Sequence, residues 1–208
     1  MNDSAMLSKP GNAALAALGS GPVPAAPYYD PAWFELEREA IFKRTWLMVG
    51  HVCELPEANP YIVREIEVAR ASVIIARGKD GEIRAFHNAC THRGTQLVDP
   101  GSEKADCALR KVSVYTHAGL IFINLDRNPK QGLKEFLGPM GDMTADLPVA
   151  QATTFDEYVY EIDANWKVAF DNFQENYHLR FVHRRTNGAP PLDSTPNPYN
   201  YPVEYRLF

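Results

Sequence analysis

Two groups of residues in this chain have the types and spacing to do chemistry. In "HNACTHRG", Cys90 and His92 stand two apart, with Arg93 and Gly94 directly behind them. A thiolate and an imidazole so close together suit an iron–sulfur cluster in which cysteines hold one iron and histidines the other. Glycine at 94 lets backbone amides approach a bulky cofactor and donate to its sulfur. Such a site needs a second thiolate and a second imidazole. Cys107 offers the thiolate, but three residues further on stands Arg110, which stays protonated and has no lone pair for a metal. His117 is the next imidazole, within a run that reads as strand and would fix it in a sheet. A tetrahedral zinc set of Cys90, His92, Cys107 and His117 is one alternative. A Cys107 thiol with no ligand role is another.

The second group is "FQENYHLRFVH". Glu175 and His178 are three apart and share a helix face, whereas His183, five further on, would point elsewhere on a continuing helix. The two imidazoles converge only if the helix bends or ends between them. Two histidines and one carboxylate on one face of ferrous iron leave positions open for O2 and substrate. The plain alternatives are two separately satisfied histidines and, for Glu175, a solvated helix carboxylate.

Several elements must position these residues. Asp30 before Pro31 reads as a helix start, since an N-cap carboxylate is followed by a residue with preset φ. Trp33, Phe34, Leu36, Ile41 and Phe42 then recur at helical spacing. "TWLMVGHV", "YIVREIEV", "ASVIIARG" and "EIRAFHNA" read as short strands, with a hairpin turn at Lys79-Asp80-Gly81. "RKVSVYTHAGLIFINLD" resumes strand character, and "QGLKEFLGPMGDM" predicts a short helix broken at Gly138-Pro139. "TTFDEYVYEID" alternates like a strand. Trp166, Ala169, Phe170, Phe173 and Tyr177 give "NWKVAFDNFQENYHL" helical spacing. The Pro- and Asn-rich segment after it reads as irregular loop.

The totals narrow the function classes. The 208 residues are 45% hydrophobic and 23% charged, ordinary for a soluble globular protein. A net charge of -5 and no basic stripe exclude nucleic acid and anionic membrane as natural partners. No apolar run reaches the length of a membrane span. Residues 1–27 carry one lysine and several breakers, which predicts a flexible tail rather than a secretory or mitochondrial leader. Three widely spaced cysteines form no disulfide framework, so a cytoplasmic location is expected.

The run "NACTHRGTQL", with "IFKRTWLMVGHVCELP" upstream and the strands ending at "FHNA", resembles the Rieske domain of the large (alpha) subunits of Rieske non-heme iron oxygenases, the aromatic ring-hydroxylating enzymes. "NWKVAFDNFQENYHLRFVH" is similar to that family's Glu/Asp-x2-His-x4-His segment almost position by position. The resemblance implies an α+β fold: an incomplete all-β Rieske [2Fe–2S] domain over 45–109, then the N-terminal portion of an antiparallel-sheet-and-helix catalytic domain over 110–208. A helix over 28–44 would pack on the catalytic domain, behind the tail 1–27.

Carried over residue by residue, Cys90, His92 and Cys107 fall on the cluster side. His178 and His183 match the ligands of the mononuclear Fe(II). Glu175 matches the acidic residue that links this iron to the cluster of a neighbouring subunit. Arg93, Gly94, Asn172 and Tyr177 match supporting positions. The family's second ligand loop reads Cys-x-x-His, then a small residue and tryptophan. Here Cys107-Ala108-Leu109-Arg110 leads straight into sequence that the family shows further on, so a block of residues is expected to be missing near 107–110. The third iron ligand comes far downstream in the family, and no acidic residue after His183 has its context.

The implied activity is O2-dependent dioxygenation or other hydroxylation of an aromatic or small quaternary-amine substrate. Electrons from NAD(P)H would arrive through a reductase, with or without a ferredoxin. The implied assembly is a homo-trimer or hetero-hexamer. This chain itself is expected not to be competent. Two alternatives stay open: an inactive metal-binding remnant that associates with intact subunits, and the zinc-stabilised β domain.

Overall fold

A computed structural model describes residues 22, 24–56, 61–89, 97, 109–153, 158–174 and 182. The chain forms two compact units, one of Pro31–Val159 and one that joins Met1–Asp30 to Tyr160–Phe208. Helix and antiparallel sheet are mixed, as the α+β expectation has it.

The larger unit is built on six antiparallel strands: β1 (Leu47–His51), β2 (Tyr61–Ile66), β3 (Ala71–Arg77), β4 (Ile83–His87), β5 (Lys111–His117) and β6 (Leu120–Asn124). Their order in the sheet is β1-β6-β5-β4-β3-β2. Every strand expected through residue 124 is present. The core gathers Val73, Ile75, Ala85, Val112, Ile121, Ile123 and Leu55, all buried. Full burial of each Val, Leu or Ile contributes about 1.5–3 kcal/mol.

The β3–β4 turn forms where Lys79-Asp80-Gly81 predicts it, and Gly81 takes φ +85°. The Gly78 amide donates to the Glu82 carbonyl at 2.8 Å. Arg84 pairs with Asp80 at 2.6 Å and, with the Glu82 amide, holds that carboxyl well below the usual carboxylate range. The run 111–124 contains a second turn. Ala118 and Gly119 both have positive φ, +49° and +83°, the backbone of a two-residue hairpin turn that matches strand twist.

The sheet's two edge strands are stitched by an arginine. On β2, the Arg64 Nε–H donates to the Val49 carbonyl of β1 at 2.9 Å. The same guanidinium forms an ion pair with Glu54. Glu54 Oε1 in turn accepts the His51 amide at 2.8 Å. Edge carbonyls that would otherwise face an open sheet are so satisfied.

The helix Pro31–Glu37 starts directly after Asp30, as expected, and runs on as a π-helical turn, Arg38–Phe42. Its burial departs from the apolar pattern. Trp33, Leu36 and Ile41 are exposed, while Glu37 and Arg38 are buried. The reason lies in the docking contact: Arg38 Nη1 donates to the Val68 carbonyl at 2.6 Å, and its guanidinium lies 4.9 Å from the Phe34 ring centre. A cation that satisfies backbone carbonyls has displaced the apolar residues from the packed face.

The helix Leu133–Ala145 is broken at Gly138, whose φ of 50° and ψ of -138° are non-helical, and Pro139 follows. Proline disfavours a helical residue before it, so the predicted break is realised. Trp46 packs with Phe122 and Leu133, and its indole N–H donates to the Gln131 carbonyl at 2.9 Å. The strand expected within "TTFDEYVYEID" is not found over 158–162. Tyr158, Val159, Tyr160 and Ile162 are all exposed. Alternation makes a strand only where a partner accepts its backbone hydrogen bonds, and none of the described residues does so here.

Candidate iron sites

β4 ends at His87, and the His87 amide donates to the Arg110 carbonyl at 2.8 Å. Phe86 faces Lys111 and Ala85 faces Val112. The segment that carries Cys90, His92, Arg93, Gly94 and Cys107 therefore leaves the sheet at Asn88 and returns at Arg110. Those five residues lie outside the described residues.

Asn88, which sequence reasoning passed over, holds the root of this loop. It is buried. Its Nδ2 donates to Ser72 Oγ at 3.0 Å, its amide donates to the Ser72 carbonyl at 2.9 Å, and its Oδ1 accepts the Leu97 amide at 3.2 Å. One side chain so ties the far end of the Cys-x-His stretch back to β3. The signal available was its place: an Asn between a strand and Cys90. A cavity of about 320 Å³ opens beside it, lined by Ser72, His87, Asn88, Arg70, Lys43 and Leu125. Burial first, and then the Arg110 charge, keep the half-buried His87 imidazole below its usual pKa.

The remaining spare donors sit at the other end of the sheet. His51 is buried, with Nδ1 accepting the Cys53 amide at 3.2 Å and Nε2 2.9 Å from the Val149 carbonyl. The two contacts fix the tautomer: Nδ1 is the acceptor, so the proton is on Nε2 and is donated to Val149. His117 closes β5, and its Nε2 lies 3.0 Å from Thr144 Oγ1. His117 is fixed in the sheet as expected, with that nitrogen engaged. Cys53 is a half-buried free thiol. Among the described residues, no group of three or more His, Cys, Asp or Glu could hold a metal.

The helix Trp166–Gln174 lies within the run whose spacing predicts one. Asn165 Oδ1 accepts the Lys167 amide at 3.1 Å, an Asx-type contact at its start. Within the same unit, the Tyr28 hydroxyl donates to Asp171 Oδ2 at 2.7 Å, and the Lys167 ammonium lies 5.6 Å from the Tyr28 ring centre. The hydrogen bond to Asp171, then burial and the Asp171 charge, raise the Tyr28 pKa. The segment before the first long helix therefore grips the helix that leads into the histidines. Asn172 is exposed on that helix. Glu175, Tyr177, His178 and His183 lie outside the described residues.

The donor chemistry fits the two expected groups unequally. Two neutral imidazoles beside a carboxylate suit ferrous iron, of whose three usual protein donors the motif supplies two. A Rieske-type cluster asks for two thiolates and two imidazoles, and position 110 presents an exposed arginine already hydrogen-bonded through its carbonyl in the β4–β5 ladder. Cys90, His92 and Cys107 alone do not fit it.

An antiparallel sheet that the Cys-x-His segment leaves and rejoins, and a helix that precedes Glu-x2-His-x4-His in sequence, have the order expected of a two-centre iron oxidoreductase. The comparisons agree. Residues 45–113 match the Rieske [2Fe-2S] domain, and residues 149–206 match the catalytic domain of the ring-hydroxylating alpha subunit. The 2-aminobenzenesulfonate 2,3-dioxygenase alpha subunit of an Alcaligenes species is 33% identical over 202 residues, covering 76% of this chain and 50% of the relative. The carnitine monooxygenase oxygenase subunit of Acinetobacter baumannii is 32% identical, covering 75% of this chain and 51% of the relative. A quaternary ammonium Rieske monooxygenase solved with L-carnitine superposes with a TM-score of 0.71 at 28% identity, over 82% of this chain and 58% of that one. Naphthalene 1,2-dioxygenase from a Rhodococcus species gives 0.61 at 30% identity, over 78% and 46%. The chain belongs to the family of Rieske non-heme iron ring-hydroxylating oxygenase alpha subunits.

The chain spans about half the length of the curated relatives it matches. The first alignment extends over 202 positions, yet 76% of 208 residues is about 158, so about 44 positions are filled by the relative alone. Among the described residues, no helix is long and apolar enough to cross a membrane.

Proposed function

We propose that this chain is the iron-binding part of an oxygenase large subunit, with His178 and His183 as the Fe(II) ligands and Glu175 as the carboxylate that orients them. The observation that carries this reading is the helix Trp166–Gln174, which delivers the chain directly to Glu175 within the stretch matched to the catalytic domain. When bound by two imidazoles and a carboxylate, ferrous iron keeps open positions at which O2 is activated. The chain's own part is to hold the two rings on one side of the metal. Glu175 would accept a ligand imidazole N–H and so set which ring nitrogen faces the iron. Asn172 and Tyr177 support the same turn.

The substrate class we propose is an aromatic ring or a small quaternary amine, after relatives named for aminobenzenesulfonate and carnitine. The partners we propose are a reductase fed by NAD(P)H, with or without a ferredoxin, and further large subunits in a homo-trimer or hetero-hexamer. We keep a division near residue 109 between cluster-type and iron-type sequence, although β5 and β6 beyond it share the sheet with β1–β4. Cytoplasmic location is part of the same proposal, on the cysteine usage alone.

Anaerobic Fe(II) titration tests the reading. Wild-type protein is expected to bind about one ferrous ion per chain, and His178→Ala and His183→Ala each to weaken binding about 10-fold or more, as loss of a ligand does. Unchanged affinity in both variants refutes the assignment.

A further inference from the structure

We propose that the sheet of this chain closes across the place where a second thiolate–imidazole pair would stand, so that the protein holds no Rieske-type [2Fe–2S] cluster. The inference rests on the family reading and concerns its other metal centre.

The argument is an accounting of donors against sheet register. The whole chain has three cysteines and six histidines. Cys90 and Cys107 are two and three residues in sequence from the loop's roots, Asn88 and Arg110. The register puts the spare donors elsewhere: His51 faces Leu120, which faces His117, while Phe86 at the loop root faces Lys111. From Lys111 to His117 a strand advances about 20 Å at roughly 3.3 Å per residue. Cys53 follows His51 at that distant end. Both His51 nitrogens are occupied, and His117 Nε2 is held by Thr144. His178 and His183 form the iron motif of the other compact unit.

Beside the loop this leaves His92 and one further imidazole, His87. The His87 backbone is locked to Arg110, and among the described residues the cavity its ring lines is flanked by Lys43 and Arg70 rather than by sulfur donors. The β4–β5 pairing of Ala85 with Val112 and Phe86 with Lys111 runs up to the two roots of the segment. The roughly 44 positions that the dioxygenase alpha subunit carries and this chain lacks are enough for one, and we place the loss at 107–110. An iron motif in such a chain depends on electrons delivered from a protein other than itself.

Two measurements on the full chain test this. Hydrogen exchange resolved at His87 and Val112, whose amides face across the β4–β5 ladder, reads the closure. Protected amides are expected, and exchange as fast as in an unfolded peptide overturns the proposal. Anaerobic reconstitution with ferrous iron and sulfide, followed by desalting, reduction and EPR, reads the cluster. No Rieske signal and acid-labile sulfide at background are expected. A Rieske signal from wild-type chain overturns the proposal, and its loss in His87→Gln would then name the missing imidazole. A second chain, carrying the alpha subunit's extra segment between Leu109 and Arg110, is expected to gain the signal; failure to gain it while the inserted residues are folded by the same exchange measurement also overturns the proposal. Fe(II) binding at His178 and His183 is read separately, so failure of one reading is distinct from failure of the other.

Discussion

Two glycines with nearly the same backbone separate conformational strain from packing in this fold. Gly119 has φ +83° and Gly81 φ +85°. A methyl group at Gly81 meets nothing within 4 Å, whereas at Gly119 it would stand 2.4 Å from His51 Nε2 and 2.6 Å from Ala150 Cα. Gly81→Ala is expected to cost only the left-handed backbone, about 1–2 kcal/mol. Gly119→Ala carries the same strain and must also push away the backbone of the 3-10 turn Pro148–Gln151. That breaks the buried bond between His51 and the Val149 carbonyl, for about 1–3 kcal/mol more. The expected total is about 2–5 kcal/mol. Urea denaturation of the three proteins, with ΔΔG taken from the midpoint at a common m, reads the difference directly. If the two variants agree within about 0.5 kcal/mol, the close approach of the Pro148–Gln151 turn to the β5–β6 turn is wrong.

Other consequences follow from the same contacts. Ala118→Gly relieves a positive φ in the neighbouring turn position and is expected to be neutral or stabilising by about 0.5 kcal/mol in the same assay, against the usual direction of point changes. Arg64→Met strands the Val49 carbonyl and the partly buried Glu54 carboxylate and is expected to cost about 2 kcal/mol; a thermal melt unchanged from wild type contradicts the seam. His87 has a folded pKa below the 6.5 of a free imidazole, so the unfolded chain takes up the proton first. Its neutral form supports folding fully above pH 6.5, and that support is lost as pH falls below it toward the folded value. His87→Gln should therefore flatten the stability–pH slope between about pH 7 and pH 5, and an identical slope refutes the burial argument.

The elements were legible wherever a local rule decided them. Asp80-Gly81 sets its own turn, Pro139 its own helix break, and the β-branched runs their strands, because each preference acts over a few residues. Three features were not legible for a shared reason: strand pairing and docking decide them, not a local preference. The Ala118-Gly119 turn looked like continuous strand, since only strand pairing tells a turn from a strand that continues. The face of the Pro31–Glu37 helix that packs was set by Arg38 reaching the carbonyl of Val68, not by the apolar stripe. "TTFDEYVYEID" has a strand's alternation and no strand over 158–162.

For the metal chemistry, the amino-acid types alone fixed what each motif could bind. The lone pairs of Cys90, His92, His178 and His183, and their absence from Arg110, are properties of side chains and need no fold. Where the spare donors lie was a tertiary matter. Strand register put His51, Cys53 and His117 at one end of the sheet and the loop roots at the other, and hydrogen bonding there is cooperative along the ladder, so no single residue announces it. The sequence by itself named candidate ligands; the pairing of β4 with β5 decided where the two roots of the Cys90–Cys107 segment meet.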